Sequence, residues 1–310
     1  MNSKYITALL ILLLISVCIG LYIFLKPVDV LTSPVLGISK MVFAENLWFP
    51  KESSSSADLK APQVTTKAAF FVETNTGEVL YEKNAHEKLQ IASLTKIMTA
   101  IIALESKNLT DEYWVSNKAV EMEPDKMYLI AGERLTLEEL LDGIFLVSAN
   151  DGAEVIAEGT FYSREDFIKR MNIKAAQLDM KNTNFINPTG LEEDNAVQLS
   201  SAFDVALMSR YAIKKWPKLI EITSNPQIYI PKTDRHQDYD LNSGINLLTT
   251  YPGVVGFKTG FTPSAGLTLV TVARRGGKEV LGVLLGSTDR RDDARAMLDY
   301  SFKKLGVKLN

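Results

Sequence analysis

The chain has 310 residues, of which 46% are hydrophobic and 23% charged, the composition of an ordinary globular protein with a substantial core. Its formal net charge of −3, with no basic runs interleaved with aromatic residues, argues against a nucleic-acid partner. Two histidines and one cysteine argue against a Cys/His zinc site, and no glycine-rich phosphate-binding loop is present. We therefore expect no metal and no cofactor.

The first element in chain order is an uncharged stretch, residues 5–25, bracketed by Lys4 and Lys26. About 20 apolar residues cross a bilayer as a helix, and the small-residue cleavage site that follows a secretory signal is not found directly after this stretch. We predict a cytoplasmic tip at residues 1–4 and one uncleaved transmembrane helix at 5–25, with a cleaved signal as the alternative. The flanking charges are too balanced to set the orientation.

Residues 26–66 have no hydrophobic periodicity and contain four prolines and the serine run Ser53–Ser56. Such composition is typical of a flexible linker. From residue 67 to 310 the pattern becomes that of a folded domain.

The domain begins and ends with strand patterns. AAFFVET and EVLYEKN, on either side of the Asn75–Gly77 turn, predict a β-hairpin. GLTLVTVARR and KEVLGVLLGS, around Gly276–Gly277, predict a second hairpin, and residues 289–305 predict a final helix. The stretch between the hairpins is mostly helical, with capping-box patterns that begin at Thr136, Ser163 and Ser201. This order predicts an α+β fold in which both chain ends build one antiparallel sheet, with a helical insertion.

The stretch QIASLTKIMTA contains Ser93 and Lys96 at the start of an apolar run. A lone S-x-x-K is more often a surface helix whose lysine reaches water. In a helix that starts at residue 93, however, positions i and i+3 lie about 5–6 Å apart at Cβ. Burial lowers a lysine pKa, so a neutral Lys96 amine could take the proton of Ser93.

Two further motifs supply the rest of a catalytic site. Ser148 and Asn150, in VSAND, offer a hydroxyl and an amide, while Lys258 and Thr259, in FKTGFT, offer a cation and a second hydroxyl. Gly260 allows a substrate backbone to approach closely. Each motif alone is more often a turn or an edge-strand lysine. The three motifs, S-x-x-K, S-x-N and K-T-G, follow one another at spacings of 55 and 110 residues, which makes chance a poor explanation.

With these motifs the chain resembles the D-alanyl-D-alanine carboxypeptidases, the low-molecular-mass penicillin-binding proteins. The likeness covers residues 68–305 and includes the segment FINPTGL, at residues 185–191. It implies a β-lactamase/DD-peptidase-like fold, peptidoglycan stem peptides ending in D-Ala-D-Ala as substrate, and β-lactam antibiotics as inhibitors. It also implies a single-pass protein of the bacterial cell membrane, with the catalytic domain on the extracytoplasmic side.

The resemblance implies a role for each motif residue. Ser93 would attack the carbonyl, Lys96 would accept its proton, and Ser148 would pass the proton on. Asn150 would bind the substrate amide. The remaining residues would bind substrate, through the side chains of Lys258 and Thr259, the close approach at Gly260 and the backbone N–H of Phe261.

One departure concerns Gln198, which occupies a position where relatives often have histidine. Alternatives also remain: a DD-endopeptidase, which cuts cross-links with the same residues, a β-lactamase, and a non-catalytic penicillin-sensing module. The β-lactamase is disfavoured because no E-x-x-L-N motif follows Asn150.

Overall fold

The structure of the protein, a computed structural model, describes residues 48–51, 59–194 and 196–309. The predicted cytoplasmic tip, the predicted transmembrane helix and most of the predicted linker lie outside these residues. None of the helices within the described ranges is long and apolar enough to cross a bilayer.

The described ranges contain strands and α-helices in the following order: β1 (Ala68–Glu73), β2 (Val79–Lys83), α1 (Lys96–Ser106), β3 (Glu112–Trp114), β4 (Arg134–Thr136), α2 (Leu137–Leu146), α3 (Asn150–Thr160), α4 (Arg164–Gln177), α5 (Ala202–Lys215), α6 (Lys218–Thr223), β5 (Gln227–Ile230), β6 (Tyr239–Asn242), α7 (Leu247–Thr250), β7 (Val254–Thr262), β8 (Gly266–Arg275), β9 (Lys278–Ser287) and α8 (Arg290–Lys304).

Five of these strands form one antiparallel sheet in the order β2-β1-β9-β8-β7. The first hairpin therefore pairs with the last one, which confirms that both chain ends build the sheet around a mostly helical insertion. Two small sheets, β3–β4 and β5–β6, were not predicted. Their strands have three or four residues, too few for an alternating pattern to be recognised.

Both faces of the sheet are covered, as β1 shows. Ala68, Phe70 and Val72 pack into the large core formed with the helical insertion. Ala69 and Phe71, which point the other way, pack into a second core that contains the apolar residues of α8. Every residue of β1 is buried for this reason. Strand β7 forms one edge of the sheet.

The predicted N-caps are present. The Thr136 hydroxyl accepts a hydrogen bond from the backbone N–H of Glu139, whose carboxylate accepts one from the Thr136 N–H in return. Ser163 and Ser201 each accept a hydrogen bond from the backbone N–H three residues later. These caps satisfy donors that a helix N-terminus leaves unpaired, and they place the helix starts where the sequence predicted them.

The catalytic motif differs in one local respect from the expected helix. Residues Ala92–Thr95 form a 3₁₀ turn, and the α-helix begins at Lys96. Ser93 therefore lies in the turn that precedes the helix, although it is still three residues from Lys96. The first eight residues of α1 are all buried, as the apolar run predicted.

The described ends of the predicted linker contact the domain. The Thr66 hydroxyl donates to the carbonyl of Leu285 at 2.7 Å, and the Thr66 N–H donates to the Asp293 carboxylate at 3.0 Å. Further upstream, the N–H of Lys51 donates to the carbonyl of Gly77 at 2.7 Å. Contacts with the sheet thus begin well before residue 67.

Candidate active site

Lys96 lies at the centre of the site, and its Nζ has three close neighbours. It is 2.9 Å from Ser93 Oγ, 2.6 Å from Asn150 Oδ1 and 2.8 Å from the backbone carbonyl oxygen of Thr189. The i, i+3 spacing brings Ser93 to the lysine, and the start of α3 brings Asn150. The S-x-x-K and S-x-N motifs therefore meet at one amine.

The environment of Lys96 favours the neutral amine. The side chain is 0% exposed, and none of its hydrogen-bond partners is a carboxylate. Burial holds the Lys96 pKa well below its ordinary value, and the nearby charge of Lys258 lowers it further. A neutral amine has two N–H donors and one lone pair. The donors match the oxygens of Asn150 and Thr189, so the lone pair faces the Ser93 hydroxyl and can accept its proton.

Ser148 lies just before Asn150 in a backbone conformation that is rare for a residue with a side chain, with φ of +61°. Its Oγ is buried and has no hydrogen-bond partner among the described residues. A buried hydroxyl without a partner is costly and is often found at a functional site. The Ser148 hydroxyl can therefore form a hydrogen bond with a substrate or take part in a proton transfer.

Lys258 lies on β7 and its side chain points into the site, where it is 1% exposed. The alternative interpretation, that it is a surface lysine of an edge strand, is therefore wrong. Its Nζ donates to the backbone carbonyl of Thr259 at 2.9 Å. Burial lowers the Lys258 pKa to about 7, with the Asp125 carboxylate acting in the opposite direction and Arg290 adding to the decrease. A carboxylate brought next to Lys258 would favour its ammonium form.

Gly260 is a residue of β7 that packs closely against Ser93. A Cβ at this position would lie 2.9 Å from the backbone nitrogen of Ser93 and 2.6 Å from Thr268 Oγ1. Only glycine fits without displacing the strand or the serine turn. The K-T-G strand therefore lies directly against the Ser93 backbone, and the next residue, Phe261, is 60% exposed at the site's edge.

The sequence analysis missed two contributors to this site and named a third, Gln198, only as a departure from the relatives. The Thr189 carbonyl holds Lys96, but a backbone acceptor has no side-chain signature. Gln198 accepts from the N–H of Ile186 at 2.9 Å, and its amide donates to Thr95 Oγ1. It braces the FINPTGL segment against the serine turn, and it has no hydrogen bond to Ser93 or Lys96. In the sequence, the FINPTGL match and the departure at Gln198 both pointed to this region.

Arg290, the first residue of α8, is the second contributor that was missed. Its Nη1 donates to the carbonyl of Gly260 at 2.8 Å and to that of Thr268 at 3.3 Å. The guanidinium therefore adds a fixed positive charge behind the K-T-G strand. In the sequence, Arg290 belongs to a mixed-charge run that is typical of a solvated helix start, so no motif indicated it.

These groups can perform acyl transfer. Within the described ranges, no three His, Cys, Asp or Glu side chains are grouped so that they could hold a metal. The site contains the Ser93 hydroxyl in contact with the neutral amine of Lys96. It also contains the Ser148 hydroxyl, which has no partner among the described residues, and the cation of Lys258 on the edge strand β7. This set matches nucleophilic attack on a carbonyl whose substrate also carries an anionic group.

Comparisons with known proteins agree with this chemistry. A family model described as D-alanyl-D-alanine carboxypeptidase, Peptidase_S11, matches residues 55–289. The D-alanyl-D-alanine carboxypeptidase DacF of Bacillus subtilis is 33% identical over 282 residues, covering 88% of this chain and 71% of the relative. DacC of Escherichia coli is 31% identical over 271 residues, covering 83% and 66%. The crystal structure of the Streptomyces K15 DD-transpeptidase superposes with a TM-score of 0.73 at 28% identity, covering 79% of this chain and 100% of that one.

Proposed function

The chain belongs to the D-alanyl-D-alanine carboxypeptidase family, and from this premise we propose that its acyl-enzyme forms on Ser93 with Lys96 as the base. The protein is a serine-type D-Ala-D-Ala carboxypeptidase, which removes the terminal D-alanine from peptidoglycan stem peptides. The observation that carries the assignment of residues is the 2.9 Å contact between Ser93 Oγ and the buried Lys96 amine.

In the acylation step, Ser93 Oγ attacks the carbonyl between the two D-alanines while its proton moves to Lys96 Nζ. The negative charge that develops on the carbonyl oxygen is held by the backbone N–H groups of Ser93 and Phe261. The close packing at Gly260 supports this pairing, because it brings the two backbones together. One such donor is typically worth about 3–4 kcal/mol of the barrier.

The leaving D-alanine then needs a proton on its amine. Ser148 carries this proton from Lys96, which accounts for a buried hydroxyl with no protein partner. Asn150 holds Lys96 through its Oδ1 and presents its amide nitrogen to the substrate backbone. Water then hydrolyses the ester on Ser93, and Lys96 accepts a proton once more.

Recognition of the terminal carboxylate is the task of Lys258 and Thr259. The anion raises the fraction of ammonium on Lys258, so binding and charge support each other. A carboxypeptidase must distinguish a chain end from a chain interior, and a buried cation beside an edge strand provides that distinction.

A fluorescent penicillin and a pentapeptide ending in D-Ala-D-Ala test the proposal together. We expect stable labelling of the wild type and release of free D-alanine, with both lost in Ser93→Ala. Ser224→Ala, at an exposed serine whose hydroxyl donates to the carbonyl of Glu221, is the matched control and should behave as wild type. Labelling that survives in Ser93→Ala would contradict the proposal. Rapid penicillin turnover would indicate a β-lactamase, and labelling without D-alanine release would indicate a sensing module.

We further propose that residues 5–25 anchor the enzyme in the bacterial cell membrane, with the catalytic domain on the extracytoplasmic side. The uncharged stretch and the location of peptidoglycan support this proposal. Deletion of residues 1–25 should move the enzyme from the membrane fraction to the soluble fraction of cells. Retention in the membrane fraction would contradict it.

A further inference from the structure

Asp151, the second residue of α3, is a buried carboxylate that has no part in the chemistry described above. It is 0% exposed. Its oxygens accept hydrogen bonds from the backbone N–H groups of Met127 at 3.1 Å, Leu129 at 3.1 Å and Gly152 at 2.8 Å. A buried carboxylate is costly unless hydrogen bonds compensate for its lost hydration. Two of the three donors belong to residues 124–130, the 124–130 loop, so Asp151 links this loop to the start of α3.

Tyr128 shows that hydrogen bonds hold the 124–130 loop in a conformation that is locally unfavourable. Its φ of +61° lies in the left-handed region, which is rare for a bulky residue. The side chain is 75% exposed, so its own packing does not fix the backbone. The Asp151 carboxylate binds the N–H groups on both sides of Tyr128, and the Gln237 amide donates to the Tyr128 carbonyl at 3.1 Å. These bonds keep the strained residue in place.

The same loop contacts Asn150 of the active site. The carbonyl of Asp125 accepts a hydrogen bond from the backbone N–H of Asn150 at 2.8 Å. The carbonyl of Pro124 accepts one from the side-chain nitrogen of Asn150 at 3.5 Å. With its nitrogen turned to the loop, the Asn150 side chain presents its oxygen to Lys96 Nζ at 2.6 Å. The orientation of this acceptor therefore depends on the position of the loop.

Unfavourable backbone conformations are concentrated around these contacts. Six non-glycine residues of the described ranges have a positive φ, and four of them lie at the active site: Ala92, Asp125, Tyr128 and Ser148. Strained residues of this kind persist only where the surrounding structure holds them, and they cluster at functional sites. Two of the four belong to the 124–130 loop, which is therefore part of the site.

From these contacts, and on the basis of the proposed function, we propose that Asp151 is a positioning residue of the carboxypeptidase. By binding the 124–130 loop, it holds Asn150 in the orientation that directs the lone pair of Lys96 toward Ser93. Asp151 acts through the loop and Asn150, not by contact with the reacting atoms.

The charge of Asp151 has a second effect, which allows positioning to be distinguished from simple stabilisation of the fold. Burial is the main cause of the low Lys96 pKa, and Lys258 of β7 lowers it further. Asp125 of the loop and Asp151 of α3 act in the opposite direction. Removal of the Asp151 charge therefore lowers the Lys96 pKa further, whereas loss of a residue that only stabilises the fold leaves it unchanged.

The rate of penicillin acylation of the full-length chain, measured from pH 4 to 9, tests the proposal with Asp151→Asn. The carboxamide has nearly the same shape but only one acceptor oxygen, so it cannot bind both sides of the loop. The plateau rate should fall about tenfold because Lys96 is misplaced. The acidic midpoint of the profile should move about half a unit lower because the nearby negative charge is lost.

Glu154→Gln is the matched control, and Met127→Ala is a second test. Glu154 is also a fully buried carboxylate of α3, but it pairs with Arg164 at 2.5 Å. Its variant should have a lower Tm with an unchanged rate and midpoint. Met127 anchors the loop beside Gly143, where a Cβ would lie 2.4 Å from the Met127 sulfur. Met127→Ala loosens the loop but keeps the Asp151 charge, so the plateau rate should fall by a similar factor without a shift of the midpoint.

Thermal unfolding shows which variants are folded. A plateau rate of Asp151→Asn within about threefold of the Glu154→Gln rate, or an unchanged midpoint, would overturn the inference. If Asp151→Asn does not fold, Met127→Ala decides, and a rate within about threefold of the control would overturn it. A wild type that penicillin does not label would instead contradict the proposed function, so the two failures are distinguishable.

Discussion

At each end of helix α1, lysine side chains contact oxygen atoms, but the two clusters differ in charge and in exposure to solvent. Near the C-terminal end, the Glu105 carboxylate accepts from Lys174 and Lys215, both at 2.8 Å, and from the Tyr211 hydroxyl. At the N-terminal end, Lys96 is surrounded by a hydroxyl, an amide oxygen and a backbone carbonyl. The first cluster is partly open to solvent and pairs opposite charges, whereas the second is closed and pairs a lysine with neutral oxygens.

The two environments shift the pKa of their lysines in opposite directions. Burial lowers the Lys215 pKa, but the hydrogen bond and charge of Glu105 outweigh it, so the Lys215 pKa ends above its ordinary value. For Lys96 burial dominates, and the charge of Lys258 acts in the same direction. The pKa of a lysine in this fold therefore falls where burial outweighs the charges of carboxylates that do not contact it, as at Lys96, and rises where a carboxylate contacts it, as at Lys215.

The largest effect is expected when Lys96, at the N-terminal end of helix α1, is replaced by a residue that stays protonated. Lys96→Arg should reduce the rate of penicillin acylation about 10³-fold, because a guanidinium stays protonated and cannot accept the Ser93 proton. The same exchange at the other end, Lys215→Arg, should leave the rate within about twofold. Thermal unfolding of both variants shows whether they are folded. A Lys96→Arg variant with more than a tenth of the wild-type rate would contradict the role of Lys96.

An effect of intermediate size is expected from pH, because burial lowers the pKa of both active-site lysines. The Lys258 pKa is about 7 without substrate, so its positive charge is lost as pH rises through that value. The KM for the pentapeptide should increase about tenfold from pH 7 to 9, the effect of losing a charge-assisted hydrogen bond to the carboxylate. The Lys96 pKa lies well below that of a free lysine, so kcat should fall only as pH decreases. Steady-state kinetics from pH 5 to 10 measures both. A rise of kcat with a midpoint near 10 would show an ordinary lysine.

The smallest expected effect is at Glu105. Glu105→Gln removes the shared counter-charge of two lysines, and partly exposed pairs of this kind are worth about 1 kcal/mol. The Tm should fall by about 2–4 °C, while kcat/KM stays within about twofold of wild type. Calorimetry and the D-alanine assay measure these quantities. A large loss of activity at an unchanged Tm would show that the two ends of α1 are coupled.

Much of the fold was predictable because its signals are local. The two hairpins follow from alternating apolar residues around glycine turns, and the N-caps at Thr136, Ser163 and Ser201 follow from one hydroxyl placed before each apolar run. The meeting of Ser93 with Lys96 follows from a separation of three residues. The roles assigned to the motif residues remain a proposal, to which the structure contributes distances and burial.

The remaining features depend on contacts between distant segments. The serine lies in a 3₁₀ turn where Ala92 has a φ of +48°, and Gly190 packs so closely there that a Cβ would lie 2.0 Å from the Ala92 carbonyl oxygen. The carbonyl of Thr189 reaches Lys96 through the same packing. Neither contact involves a side-chain pattern that could be recognised in the sequence.

The amino-acid sequence alone determined which reactive groups this protein possesses, their order along the chain and the three-residue separation of Ser93 and Lys96. Only the tertiary structure decided that burial holds the Lys96 pKa well below its ordinary value and lowers the Lys258 pKa to about 7. The physical reason is that a pKa reflects how completely the surrounding segments exclude water and which charges they bring close. In this protein those segments come from α1, α3, β7 and the FINPTGL loop together.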